Sequence, residues 1–252
     1  MNSFYKKKLF ITKIYKIFKK KQNFFRTLMY HSIFNEKTED RANQLYSLKL
    51  SLFKEQINFI KNDENKRIYE TGTLLTDCPR NGISITFDDG HLDTYEIACP
   101  YLIENNIPFT IFVITDFIKN EKKGYMNESM LKELSKNNLV TVGSHSVSHF
   151  KLTKLDDKSI YNEVNDSKSY LENLLGKKII TLSYPHGQYN NRVLEKVNNA
   201  GYKLAFSSKF NSNKNNEDRF SLCRSEIWNS DTIEIFKQKL EGSWDWLSYK
   251  DI

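Results

Sequence analysis

The run Ile83-Ser84-Ile85-Thr86-Phe87-Asp88-Asp89-Gly90 places an apolar residue at positions 83, 85 and 87, then breaks into two carboxylates and a glycine. Alternation of period two is the mark of a β-strand. An Asp-Gly pair after a strand would open a hairpin, because it tolerates positive φ. The residues that follow do not form a second strand, however. Tyr95, Ala98, Leu102 and Ile103 recur with helical spacing across residues 94–105, and Pro100 is where that helix kinks or restarts. A strand feeding a helix is one unit of an alternating α/β domain.

The same unit recurs on both sides. Upstream, 27–30 reads as a short first strand, and Leu52, Phe53, Ile57 and Ile60 form a helical stripe. Downstream, 109–115 is a continuous apolar run of the kind buried on both faces. Asn127 can cap a helix carrying Met130, Leu131 and Leu134, and 139–143 is a strand. Ile160, Val164, Leu171 and Leu174 share one helical face, with Gly176 placed as a C-terminal cap. Strands at 178–184, 204–207 and 220–227 alternate with helices marked by Val193, Leu194, Val197 and Ala200 and by Ile233, Phe236 and Leu240. Six or seven such units in one domain predict a parallel sheet in a closed or nearly closed barrel. Chemistry in that architecture gathers at the C-terminal ends of the strands. His31, Asp88, Asp89, His145, His149 and the segment 184–187 all fall there.

Composition fits a folded domain: 39% of the 252 residues are hydrophobic and 13% aromatic, which excludes a disordered chain. The net charge of +7 is local. Residues 1–35 hold eight lysines and Arg26 with no acid, so the rest of the chain carries 29 basic against 31 acidic residues. A broad nucleic-acid surface would need Lys and Arg spread over one face, so nucleic acid is not an expected partner. Cys78, Cys99 and Cys223 are odd in number and widely spaced, as for free thiols in a reducing compartment. Residues 1–23 form a basic tail or amphipathic helix ahead of a catalytic domain over 24–252. Lys13 and Lys16 interrupt its apolar stretch, so it is neither an export signal nor a membrane span. Phe10, Ile14, Ile17 and Phe18 can share a face, suited to peripheral contact with an anionic membrane; a solvated tail or a helix packed on the domain are the alternatives. A cytoplasmic enzyme, either free or peripheral on the inner membrane face, is the expectation.

Two adjacent carboxylates at a strand end repel, and a divalent cation on one of them relieves the repulsion. The other stays free to take a proton from water. In His145-Ser146-Val147-Ser148-His149 two imidazoles stand four apart and face one point if the segment turns helically. Two histidines and one carboxylate make a common open metal site; zinc suits it best, with manganese, iron, cobalt or nickel also compatible.

Thr86-Phe87-Asp88-Asp89-Gly90 followed by His145-Ser146-x-x-His149 resembles the NodB-type polysaccharide deacetylases, the family-four carbohydrate esterases. The resemblance covers roughly residues 27–228 and implies an α/β fold of distorted, incomplete (β/α) barrel type and hydrolysis of acetamides on sugars. It implies Asp88 as general base and Asp89, His145 and His149 as metal ligands. Ser183-Tyr184-Pro185-His186-Gly187-Gln188-Tyr189 is similar to the family's third motif, which implies a substrate and oxyanion segment at Tyr184 and Pro185 with the backbone N–H of His186 as donor. The arginine that usually precedes this motif and orients the base is absent, since Leu182 and Ser183 occupy the region. Arg224 either supplies that guanidinium from the next strand or makes a surface salt bridge. No histidine follows His186, so the usual C-terminal acid motif is missing. Leu28-Met29-Tyr30-His31 instead resembles members with rearranged motif order, such as the poly-N-acetylglucosamine deacetylases, which makes His31 the general acid; the alternative is a hydrogen-bonded core histidine. His91 can line the site without an assigned job, and Trp228 is placed to stack on a sugar ring.

The expected activity is therefore removal of N-acetyl groups from a saccharide containing N-acetylhexosamine. A metal amidase acting on a non-sugar amide is one rival. The other is a glycan-binding module that has lost catalysis. The sequence leaves the oligomeric state open.

Overall fold

The alternating stretch is a strand, Gly82–Phe87, buried along its whole length. The computed structural model describes residues 3–18, 25–35, 44–215 and 218–249. The chain runs α1 (Ser3–Phe18), β1 (Arg26–Tyr30), β2 (Ser32–Phe34), β3 (Ser47–Lys49), α2 (Leu50–Lys61), β4 (Arg67–Ile68) and β5 (Gly82–Phe87). A π-helical turn (Thr94–Ala98) leads directly into α3 (Cys99–Glu104). Then come β6 (Phe109–Val113), α4 (Thr115–Lys119), α5 (Glu128–Ser135), β7 (Val140–Ser144), α6 (Asp157–Leu175), β8 (Thr181–Ser183), α7 (Asn191–Asn199), β9 (Leu204–Phe206), β10 (Ser225–Glu226) and α8 (Ile233–Leu240).

The main sheet has the order β10-β1-β5-β6-β7-β8-β9, with β4 beside the start of β5, and its ladders are parallel. Helices cover its outer face, which is why the strands carry apolar side chains on both sides. The sheet curls because its last segment touches both ends. Leu222 bridges in parallel to Phe206 of β9, and Ser225 and Glu226 then pair with Leu28 and Met29 of β1. This crossing explains a difference from the sequence reading. The expected strand over 220–227 is paired first with one neighbour and then with the other, so β10 itself is only two residues long.

Local signals behaved as their chemistry requires. The Asn127 side chain accepts the Met130 N–H at 3.0 Å, and Gly176 ends α6 in the left-handed region with φ +64°. Pro100 sits in the first turn of α3, where its missing N–H costs no helical hydrogen bond. The helix thus restarts there. The pair β2–β3 and the short α4 were not anticipated; they lie in segments without a sustained period.

Helix α1 packs on the C-terminal part of the domain. Thr12 accepts the Trp246 indole N–H at 2.9 Å, the Lys8 ammonium lies 4.2 Å over the Trp228 ring, and Lys16 pairs with Glu241 at 3.1 Å. Phe10, Ile14 and Ile17 face outward, 64%, 43% and 78% exposed. The Phe18 side chain and residues 19–24 lie outside the described residues. Among the described residues no helix is long and apolar enough to cross a membrane.

Candidate active site

The two aspartates at the end of β5 have different surroundings. Asp88 is buried and receives a bidentate guanidinium: Arg224 Nη1 donates to Oδ1 at 2.7 Å and Nη2 to Oδ2 at 2.8 Å. The Ser183 hydroxyl donates to Oδ2 at 3.0 Å. Arg224 is fully buried and held in turn by Ser207 O at 2.8 Å and Ser183 Oγ at 2.8 Å. It is therefore no surface salt bridge. Burial would raise the Asp88 pKa, but the Arg224 charge and then His145 outweigh it and hold the carboxyl at about 2.

Asp89 makes no such pair. Its Oδ1 is buried without a hydrogen-bond partner. That oxygen stands 3.4 Å from His145 Nε2 and 3.5 Å from His149 Nε2, while Oδ2 lies 3.3 Å from His91 Nε2. Burial acts to raise the Asp89 pKa as well, and His145 and His91 reverse it to well below the usual carboxylate range. His145 Nδ1 donates to the Ser183 carbonyl at 2.8 Å, which turns Nε2 toward Asp89; burial acts to lower the His145 pKa, and Asp88 and Asp89 reverse this and raise it. Burial and the neighbouring His145 lower the His149 pKa to about 4, keeping that imidazole neutral.

The His145–His149 segment is not helical, contrary to the helical turn expected from the spacing. The two rings meet, with centroids 4.7 Å apart, because Ser146 and His149 adopt left-handed backbone, both with φ +66°. Glu163 on α6 braces the loop by accepting the N–H groups of Val147 and Ser148 at 3.0 Å each, together with the Ser148 hydroxyl. Asp89 (φ +72°) and His186 (φ +58°) are also left-handed, so four non-glycine residues in this conformation surround one point. Such concentration is a feature of functional sites.

His31, Asp88, Asp89, His145, His149, His186 and Arg224 line one cavity of about 340 Å³. His31 follows β1, and its ring packs on Tyr46 with centroids 4.6 Å apart. Its Nδ1 is buried without a hydrogen-bond partner, so it is not the satisfied core histidine. Burial lowers its pKa against the opposing pull of Asp89 and Asp88. Gly187 approaches so closely that a Cβ there would lie 1.9 Å from Ser208 Oγ. Two expected residues are elsewhere. The Tyr184 side chain is in the core, its hydroxyl donating to Phe220 O at 2.8 Å, and it serves the turn instead of the cavity. Trp228 cannot stack on a sugar, because it is buried with Phe210, Ile235 and Trp244 and has Lys239 Nζ 3.7 Å over its ring. Sequence reasoning missed Tyr46, Glu163 and Glu226. Only Glu226 had a usable signal, since it stands two residues from Arg224 on a strand.

The ligand atoms of Asp89, His145 and His149 lie within 4.8 Å of one another. Tetrahedral zinc with bonds of about 2.0–2.1 Å spaces its ligands about 3.3 Å apart, close to the separations from Asp89 Oδ1. The orphaned oxygen and the two Nε2 atoms that face it fit a divalent cation.

Residues 76–205, half of the chain, match the family model described as polysaccharide deacetylase. The chain belongs to this family. It is 27% identical over 238 residues to the poly-beta-1,6-N-acetyl-D-glucosamine N-deacetylase of Staphylococcus aureus (strain MSSA476), covering 88% of this chain and 80% of that protein. It is 28% identical over 145 residues, 58% of its length, to YxkH of Bacillus subtilis (strain 168), a protein named for the same family; the match spans 51% of that protein, about half its length. The structure of Streptococcus pyogenes deacetylase PplD in complex with acetate superposes with a TM-score of 0.78 at 25% identity, over 87% of this chain and 99% of that one. The curled parallel sheet is the distorted barrel of these deacetylases.

Proposed function

We propose that this protein removes N-acetyl groups from a saccharide containing N-acetylhexosamine, using a divalent metal, most simply zinc. One observation carries the reading: the aspartate pair is divided between two jobs. Asp88 is occupied by Arg224 and Ser183, while Asp89 Oδ1 is left without a partner between two imidazoles. A cation held by Asp89, His145 and His149 supplies Lewis-acid polarisation of the acetyl oxygen and acidifies water.

The other residues divide the remaining work. Asp88, oriented by Arg224, takes the proton of the attacking water. The backbone N–H of His186 donates to the oxyanion of the tetrahedral intermediate. His31 protonates the leaving nitrogen, giving acetate and a free amine. The name of the Staphylococcus relative supports a β-linked N-acetylglucosamine polymer as the substrate class. Acetate release from N-acetylglucosamine oligomers, with added zinc or cobalt and with a chelator, tests the proposal. Metal-dependent release is expected. Release from small amides alone would favour the non-sugar amidase, and binding of oligomers without turnover would favour the glycan-binding module.

The outward residues Phe10, Ile14 and Ile17, flanked by exposed Lys7 and Lys13, support peripheral docking of α1 on an anionic membrane surface at the cytoplasmic face. Removing residues 1–22 should then shift the protein to the soluble fraction; an unchanged distribution counts against docking.

A further inference from the structure

Arg224 and Glu226 stand two apart on the seam that closes the barrel, and side chains two apart on an extended segment share a face. Arg224 uses that face to reach Asp88. Glu226 is therefore one layer nearer the C-terminal rim, roughly 6–7 Å further along. It lines the same cavity as His31, Asp89 and His145. One of its oxygens is fixed, because the Trp228 indole N–H donates to Oε2 at 2.9 Å. Among the described residues nothing hydrogen-bonds to Oε1, and Glu226 lines the cavity, so this oxygen is the one available to a ligand there.

The mechanism above gives this carboxylate no work. It does not touch the metal ligands, and it is not needed to neutralise a cation. Lys239, Arg224 and Lys8 already act on it electrostatically, although burial, the largest influence, still holds its pKa above the ordinary value. Behind it, Lys239 Nζ donates to the Glu226 backbone carbonyl at 2.7 Å and to Asp231 Oδ2 at 2.5 Å, which locks the strand in place. A carboxylate with one oxygen pinned and one open is suited to accept a hydrogen bond from a neutral donor. Across the mouth, Tyr46 covers one face of His31 and offers a partly exposed ring, 40% accessible.

We infer that Glu226 is a specificity residue whose Oε1 accepts a hydroxyl of the acetamido sugar while Tyr46 flanks the ring. The inference rests on the deacetylase reading. It separates a saccharide from a bare acetamide by chemistry, since only the saccharide brings a hydroxyl to that oxygen. A site built to hydrogen-bond a substrate hydroxyl discriminates strongly against an analogue that lacks it.

The test compares the zinc-loaded wild type with Glu226→Ala on an N-acetylglucosamine oligomer and on its monodeoxy analogues. One analogue should cost the wild type roughly 10- to 100-fold in kcat/KM, the value expected for a hydrogen bond to a charged group. Glu226→Ala should lose a similar factor on the parent oligomer and show no further loss with that analogue. A carboxylate that only supports Trp228 would leave the two losses independent, so multiplicative losses, or wild-type kinetics in Glu226→Ala, overturn the inference. Glu226→Met, which has no strong acceptor, carries the same comparison if the alanine variant does not fold. No acetate release from the parent oligomer by metal-loaded wild type would instead overturn the functional reading on which this one stands.

Discussion

Replacing Arg224 with methionine removes the strongest counter-charge acting on Asp88 while keeping much of the side-chain volume. Asp88 is 3% exposed, so water cannot take over from the guanidinium. Breaking a buried ion pair from one side costs about 3–5 kcal/mol. The depression of the Asp88 pKa from 3.8 to about 2 corresponds to roughly 2–3 kcal/mol of that amount. The Ser207 carbonyl and the Ser183 hydroxyl also lose their donor. Urea unfolding of the metal-free protein at pH 7 measures the loss directly. The sign of the pH dependence follows from a lowered folded-state pKa: the stabilisation is present above pH 3.8 and disappears as pH falls toward about 2. The gap between wild type and Arg224→Met should therefore narrow on acidification. Adding Asp88→Asn to Arg224→Met removes the stranded charge and should recover at least ~1 kcal/mol in a double-mutant cycle. An Arg224→Met protein within about 1 kcal/mol of wild type, or a double variant no better than the single one, would refute the reasoning.

The other expectations are more direct. Asp89→Ala and His145→Ala should lower zinc affinity at least ~100-fold by calorimetry, with circular dichroism unchanged; near-wild-type affinity would remove these residues as ligands. His31→Ala and Asp88→Asn should retain zinc but lose roughly 10²–10⁴-fold in kcat for acetate release, and full turnover in either would remove that residue from proton transfer. Gly187→Ala should destabilise by about 1–3 kcal/mol, because the added methyl meets both the Ser208 side chain and its backbone nitrogen at 2.6 Å. A melting temperature equal to wild type would show that the turn can open.

The barrel was legible because its evidence is local and repeated: strand period, helix stripe, and caps at Asn127 and Gly176. The cluster of Asp89, His145 and His149 was legible because a strand end and a pair of histidines are short sequence patterns. What lay beyond reach was set by contacts distant in the chain. Arg224 and Asp88 are 136 residues apart, and only closure of the sheet decides between a buried clamp and a surface bridge. Trp228 follows the right strand, yet it is turned into a satellite cluster by α8 and α1. Tyr184 matches a motif position whose side chain belongs to the core. The helical turn expected for His145 and His149 failed for another reason: two left-handed residues reach the same convergence, and that backbone is uncommon for any non-glycine residue.

Those residues set a limit on how robust the protein can become. Asp89, Ser146, His149 and His186 each hold a backbone conformation that costs a non-glycine residue roughly 1–2 kcal/mol. A laboratory search for heat-resistant variants would meet glycine at these positions as an easy source of stability. Three of the four side chains would be lost with their lone pairs or ring, and at Ser146 the hydroxyl that receives the His149 amide would go too. Toughness and turnover are thus set against each other at the same few peptide units, and improved variants of this chain should draw their gains from the far side of the barrel.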